Sequence, residues 1–270
     1  MAKKATAVAW LCCAWMSGCG GVGPVLTDET RETVENLVEA GFRTEDIQVV
    51  DGVVQVGGDA VVSLQASREM LDTGDSGAEH YRTTNLVSSA VTKITVQLPS
   101  PVASTIAAGL AQAVANYNAL GLRLTFYTAN PCLADPSACP PGSHATINVV
   151  VNSTLPSGPS GASGYPSGGL PYPTIWIGTG LSTYPLDVIE HVLTHELGHT
   201  IGFRHTDFFN TAISCGGTPV REGANPGGAI LIPGTPSSAT PGGSIMNTCV
   251  PLSTNGEFTS TDIAALNFMY

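Results

Sequence analysis

Charge is scarce in this chain. Only 11% of its 270 residues are Asp, Glu, Lys or Arg, and just 10 are basic. No basic patch occurs anywhere, so nucleic acid is excluded as a partner on electrostatic grounds. Aromatic residues are few, at 6%. No fixed-period internal repeat is visible. No cysteine lies between Cys19 and Cys132. No acidic cluster in the later two thirds argues for a calcium site. What remains is apolar and loop-rich. Hydrophobic residues make up 43% of the chain, enough for a buried core, and it carries 31 Gly and 19 Pro. The net charge of −11 is uneven: residues 20–79 hold 13 acidic and 3 basic side chains, residues 80–270 only 8 and 5.

The first residues read as a targeting signal. Lys3 and Lys4 precede an apolar run at residues 5–16. That run is shorter than the roughly 20 residues a bilayer span needs and suits a secretory signal. Met16-Ser17-Gly18-Cys19 resembles a bacterial lipobox, with Met16 standing where Leu is usual. Lipidation of Cys19 would anchor an outer-surface lipoprotein. The rival reading is plain cleavage near Gly18 and secretion. Either way the expected location is extracytoplasmic, and any membrane contact runs through the lipid alone. Beyond Cys19 stand Cys132, Cys139, Cys215 and Cys249. An even number in an exported chain implies disulfides. Of three pairings, Cys132–Cys139 is favoured because the Pro-rich segment between them makes a tight loop, leaving Cys215–Cys249.

Three segments follow: a signal at 1–19, an acidic N-terminal unit with its linker at 20–79, and a larger domain at 80–270. In the acidic unit, Val34, Leu37 and Val38 share one face of a helix over residues 30–40, with Gly41 as C-cap. Residues 47–50 and 53–56 flank Asp51-Gly52 as a hairpin. Residues 59–64 continue it or begin another helix. In the larger domain, strands are expected at 94–98, 122–127, 145–151 and 174–178. Long helices are expected at 102–120 and 187–202, and a final one is capped by Ser260-Thr261-Asp262. Residues 153–172 read as a Ser/Gly/Pro loop. The fold class is α+β: a twisted mixed sheet of four or five strands, with two long helices packed on it.

The chemistry sits at His195-Glu196-Leu197-Gly198-His199-Thr200-Ile201-Gly202-Phe203-Arg204-His205. His195 and His199 are four apart, so on a helix their imidazoles project from one face. Gly202 can end the helix in a left-handed conformation and return the chain to deliver His205. Three neutral imidazoles suit one zinc ion and leave a position open for water. Glu196 lies one step round, placed to act as general base on that water. A purely structural zinc site would close its coordination shell, and nothing here supplies a fourth protein ligand.

This motif resembles that of the metzincin clan of zinc endopeptidases, and Ser244-Ile245-Met246-Asn247 is similar to its Met-turn. The resemblance implies that Met246 lies beneath the metal. Thr248 stands where some metzincins carry a tyrosine ligand, so no such ligand is implied. More specifically, residues 190–199 and 202–207, Gly164-Tyr165-Pro166-Ser167-Gly168, Pro171-Tyr172 and Ala40-Gly41-Phe42 resemble the bacterial dual-action HEIGH metallopeptidases. The resemblance implies the sheet order, a zinc cleft between two subdomains, and substrate added as a strand along a sheet edge. Ile175, Trp176, Ile177 and Gly178 are the candidates for that edge.

Other residues carry lesser expectations. His191 faces the same side as His195 but would block the water as a fourth ligand, so it reads as packing. His80, His144 and Arg204 read as surface residues, Arg204 with a salt bridge as its other option. Asp207 is a candidate anchor for the metal-binding turn or the Met-turn. The leading function is a monomeric zinc endopeptidase acting on proteins or peptides, made with residues 20–79 as an inhibitory propeptide. An Asp or Glu, or simple cover, would have to do the blocking. The alternatives are a surface lipoprotein that binds a partner without catalysis, which has no need of Glu196, and a zinc hydrolase of esters or small amides.

Overall fold

The computed structural model describes residues 26–71, 81–220, 229–236 and 238–270. The signal, Cys19 and His80 lie outside them. Among the described residues no helix is long and apolar enough to cross a membrane.

The N-terminal unit opens with α1 (Asp28–Glu39), whose N-cap Thr27 accepts a hydrogen bond from Thr30 N. Strands β1 (Ile47–Val50) and β2 (Val53–Val56) form the expected hairpin. Both turn residues have positive φ, 50° at Asp51 and 81° at Gly52, which suits a two-residue hairpin turn between twisted strands. Strand β3 (Ala60–Val61) turns back on β2, and Ser63 caps the short α2 (Leu64–Glu69). Both options for residues 59–64 are thus realised in sequence. Leu37, Phe42, Val56 and Met70 form a small core with Tyr165 from the larger domain.

The larger domain contributes β4 (Tyr81–Arg82), β5 (Lys93–Gln97), α3 (Ser104–Ala119), β6 (Thr125–Tyr127), α4 (Pro131–Ala134), β7 (His144–Asn152), β8 (Gly161–Gly164) and β9 (Thr174–Gly178). It continues with α5 (Leu186–Thr200), α6 (Ala212–Cys215), β10 (Ile230–Leu231) and α7 (Ser260–Met269). The main sheet runs β1-β2-β3-β8-β9-β7-β5-β6, and β4 pairs separately with β10. Strands β6, β5, β7 and β9 are parallel, β8 is antiparallel to β9, and β3 lies parallel to β8. The apolar run of each parallel strand faces the core, where Ile94, Phe126, Ile147 and Ile175 meet Leu110, Tyr117, Ile189, Leu193 and Leu197. Helices α3 and α5 pack closely: a Cβ on Gly109 would stand 2.6 Å from the Ile189 side chain. The architecture is α+β, and the disulfides are Cys132–Cys139 and Cys215–Cys249.

Two expectations are corrected here. Residues 153–172 are not all loop, because β8 lies within them. Consequently Ile175, Trp176, Ile177 and Gly178 are not the sheet edge: β9 pairs with β7 on one side and β8 on the other. The backbone groups of an interior strand are already used in its ladders. Within the larger domain the sheet has two edge strands, β6 at one end and β8 at the other, and β3 covers β8.

Candidate metal centre

Helix α5 is buried along almost its whole length and delivers His195 and His199 from successive turns. Gly202, at φ 112°, closes it. Phe203 N donates to Gly198 O at 3.0 Å, and Gly202 O accepts from Thr83 N at 2.9 Å. A Cβ on Gly202 would also stand 2.8 Å from Asn85 O, so both conformation and crowding demand glycine. The chain then brings His205 to the same point. The Nε2 atoms of His195, His199 and His205 lie 3.0–3.2 Å apart, and all three residues are buried.

The tautomers follow from their partners. His195 Nδ1 lies 2.8 Å from Ile245 O, and His199 Nδ1 lies 2.8 Å from Phe203 O. A carbonyl only accepts, so each Nδ1 carries the proton and each Nε2 presents a lone pair. Burial, then His195, pushes His199 well below the ordinary imidazole range, which keeps it neutral. Converging lone pairs repel one another in a dry site unless a cation lies among them. The donor set therefore fits a metal ion, and imidazole nitrogen suits zinc.

Met246 is buried beneath the helix, and a Cβ on Gly198 would meet its Sδ at 2.5 Å. The Met-turn also supplies the carbonyl of Ile245 that orients His195. It is tied to the segment after His205: Thr206 N donates to Met246 O at 2.8 Å, and Asn247 Nδ2 to Thr206 Oγ1 at 2.8 Å. Asp207 anchors both the Met-turn and α6, accepting from Thr248 N and Ser214 Oγ. Asp262, three residues past the α7 N-cap Thr259, accepts from Ser244 Oγ and Ile245 N.

Glu196 is buried, and its Oε2 has no hydrogen-bond partner among the described residues. Burial, then the neighbouring carboxylate of Asp59, pushes its acid well above the usual range. Gly161 on β8 makes room for it, since a Cβ there would stand 2.5 Å from Glu196 Oε1. A cavity of about 410 Å³ opens beside His195 and Glu196, walled by Leu155, Pro156, Val192 and Val250.

His191 does not join the cluster. Its Nδ1 pairs with Thr254 Oγ1 at 2.7 Å, and burial, then His195, lowers its pKa to about 4. His144 is half-buried and bonds Thr95 Oγ1 at 2.7 Å. Arg204 is a second correction to the surface reading. It is fully buried, with its guanidinium 4.6 Å over the Phe42 ring and 5.1 Å over the Phe208 ring. Stacking on two aromatic faces replaces part of the lost hydration.

The residue missed by sequence reasoning is Asp59. Its Oδ2 lies 3.2 Å from His205 Nε2 and 3.6 Å from His195 Nε2, and its Oδ1 lies 3.7 Å from His199 Nε2. Burial opposes its charge, but the facing imidazoles, His205 foremost, hold its carboxyl well below the usual range. One signal was available: Asp59 is the only charged residue between Asp51 and Arg68, and it follows Gly57-Gly58. The four side chains form a group able to hold one metal ion.

A family model described as the dual-action HEIGH metallo-peptidase matches residues 54–270. No curated protein matches the chain. Similar solved structures include high choriolytic enzyme 1, a hatching enzyme zinc-protease from Oryzias latipes (medaka fish). It is 15% identical, with a TM-score of 0.39, covering 69% of this chain and 92% of that one. Myroilysin is another, at 13% identity and a TM-score of 0.38, covering 68% of this chain and 97% of that one.

Proposed function

Because this chain belongs to the dual-action HEIGH metallopeptidases, it is a zinc metalloprotease, and we propose that it is an exported endopeptidase made latent by its N-terminal unit. One observation carries the endopeptidase reading. The edge strand β8 passes directly against the carboxylate of Glu196, at Gly161. An extended peptide laid along that edge, in place of β3, brings a backbone carbonyl beside Glu196. Main-chain pairing of this kind suits a polypeptide and offers little to a small ester or amide. A pure binding module has no use for a buried acid at this point.

His195, His199 and His205 would hold the zinc. When bound, zinc supplies Lewis acidity to the water and to the scissile carbonyl. Glu196 accepts the proton of the attacking water and returns it to the leaving amine. Its dry surroundings raise its proton affinity, which suits a group that must take and release a proton near neutral pH. Ile245 O and Phe203 O hold two of the imidazoles in the tautomer that leaves Nε2 free for metal.

The test compares residues 80–270 with residues 20–270, each at matched zinc content. The shorter chain is expected to cleave casein, to lose that activity to 1,10-phenanthroline, and to recover it with zinc. The longer chain is expected to be at least about 10-fold slower, since its cleft is covered. Equal rates would sink the latency. Hydrolysis of a small ester with casein untouched would sink the endopeptidase.

Gly161→Ala tests the placement of Glu196. Alanine fits a strand, but its Cβ must displace the carboxylate, and a misplacement near 1 Å costs about 10²-fold. The shorter chain carrying Gly161→Ala is expected to lose roughly that factor in kcat/KM with zinc content unchanged. An unaltered rate would show that Glu196 does not act from this position.

A further inference from the structure

A second cavity, of about 600 Å³, adjoins the one that opens beside Glu196. Cys249 lines both. On α5, Val192 lines the first and the preceding residue, His191, lines the second. Ile245, whose carbonyl orients His195, lines the second as well. The two cavities therefore lie side by side along the metal-binding helix.

Their linings differ in character. Val192 and Val250 make the first apolar next to Glu196. The second is mostly polar, with Ser253, Asn255 and Glu257 in its wall. That wall is built rather than loose. Thr254 Oγ1 pairs with His191 Nδ1 at 2.7 Å and accepts from Gly256 N at 3.0 Å. Asn116 Nδ2 on α3 donates to Gly256 O at 3.3 Å and to Glu190 Oε1 at 2.7 Å. Glu257 N donates to Asn255 Oδ1 at 3.2 Å, and the disulfide to Cys215 holds Cys249. Glu257 is the one carboxylate in the lining, and no Lys or Arg is there among the described residues. Its side chain is exposed and makes no ion pair among the described residues.

We propose that the second cavity receives a basic side chain of the substrate, so that the peptidase cuts next to Arg or Lys. The proposal rests on the endopeptidase reading and names the substrate class of that site. Arg and Lys carry a long apolar stem and a charged head, and such side chains keep the two in different surroundings. The stem lies along Val192 and Val250, and the head meets Glu257, with Asn255 and Ser253 as further acceptors. An acidic side chain meets a like charge there, and a leucine offers the polar wall no partner. The net charge of −11 draws cationic segments toward the same site.

The test folds residues 20–270 with a site-specific protease sequence inserted within 72–80, cuts there, and separates the N-terminal unit. Mass spectrometry then maps the bonds cut in casein. Peptides that differ only in Arg, Leu or Glu at the mapped flanking position give kcat/KM. Arg is expected to exceed Leu by about 10-fold or more, and Glu by about 100-fold. Glu257→Gln is expected to lower the Arg peptide by about 10-fold and leave the Leu peptide unchanged. Glu257→Lys is expected to turn the preference toward Glu. The Glu257 side chain makes no hydrogen bond among the described residues, so neither change disturbs the fold. Asp187, exposed on α5 and outside the cavity, is the control for overall charge. Asp187→Asn is expected to keep the full preference for Arg. Casein cut without preference for basic residues would overturn the proposal and leave the peptidase standing. The same holds if Glu257→Gln keeps the preference, or if Asp187→Asn weakens it equally. If neither casein nor any peptide is cut, the peptidase reading falls and takes the proposal with it.

Discussion

Glu196→Gln in residues 80–270 is expected to lower casein hydrolysis by about 10²–10⁴-fold, the usual worth of a positioned general base. Zinc content is expected to stay at that of the unaltered protein. The reason lies in what Glu196 touches. It is buried, its Oε2 has no partner among the described residues, and it is not among the groups that could hold the metal. Glutamine has the same shape and disturbs neither α5 nor the histidines, but it cannot take a proton from water. Residual activity above about a tenth of the unaltered level would give the base to another group. Loss of zinc together with activity would mean that Glu196 supports the metal site rather than the reaction.

The largest expected effect on stability comes from Asp207→Ala. Asp207 has no exposed surface and accepts from Thr248 N at 2.9 Å, Thr248 Oγ1 at 2.8 Å, Ser214 Oγ at 2.6 Å and Ser214 N at 3.2 Å. It joins the turn after His205 to the segment after Met246, and Ser214 relays it to Cys249 N at 3.0 Å. Alanine leaves these half-buried donors without their acceptor, and each costs about 1–3 kcal/mol if unsatisfied. With partial rehydration the loss is about 3 kcal/mol, equivalent to a drop in Tm of about 6–12 °C for a domain of this size. Because the Met-turn orients His195 through Ile245 O, zinc affinity is expected to weaken about 10–100-fold as well. Thermal melts with zinc in excess and competition with a chelator read the two effects. A fall in Tm below about 2 °C would show that water replaces the carboxylate at little cost.

Much of the fold was legible, and the legible parts share a cause. The hairpin around Asp51-Gly52, the long helices α3 and α5 and the strands β5, β7 and β9 are written in local periodicity and turn chemistry. The final helix shows the limit of that reading. Its cap is Thr259, one residue before the expected start, and Asp262 is the reciprocal partner. Strand β8 was not legible. Gly161-Ala162-Ser163-Gly164 has neither β-branched residues nor alternation. It is a strand because β9 and β3 pair with it, and it is glycine-rich because its neighbours leave no space. A Cβ on Gly164 would stand 2.5 Å from Val61 O and 2.7 Å from the Tyr172 ring. Missing β8 is what misplaced the substrate edge at Ile175–Gly178. Arg204 misled for a similar reason, since the faces of Phe42 and Phe208 that shelter it meet only after folding.

The sequence by itself determined the zinc metallopeptidase motif and the family it belongs to. His195, Glu196, His199, Gly202 and His205 lie within one helix and its exit, where 3.6 residues per turn decide which side chains share a face. Only the tertiary structure decided what stands opposite them. The carbonyl of Ile245, the floor at Met246, the space at Gly161 and the carboxylate of Asp59 come from distant parts of the chain, and no local period records which distant strands will pair.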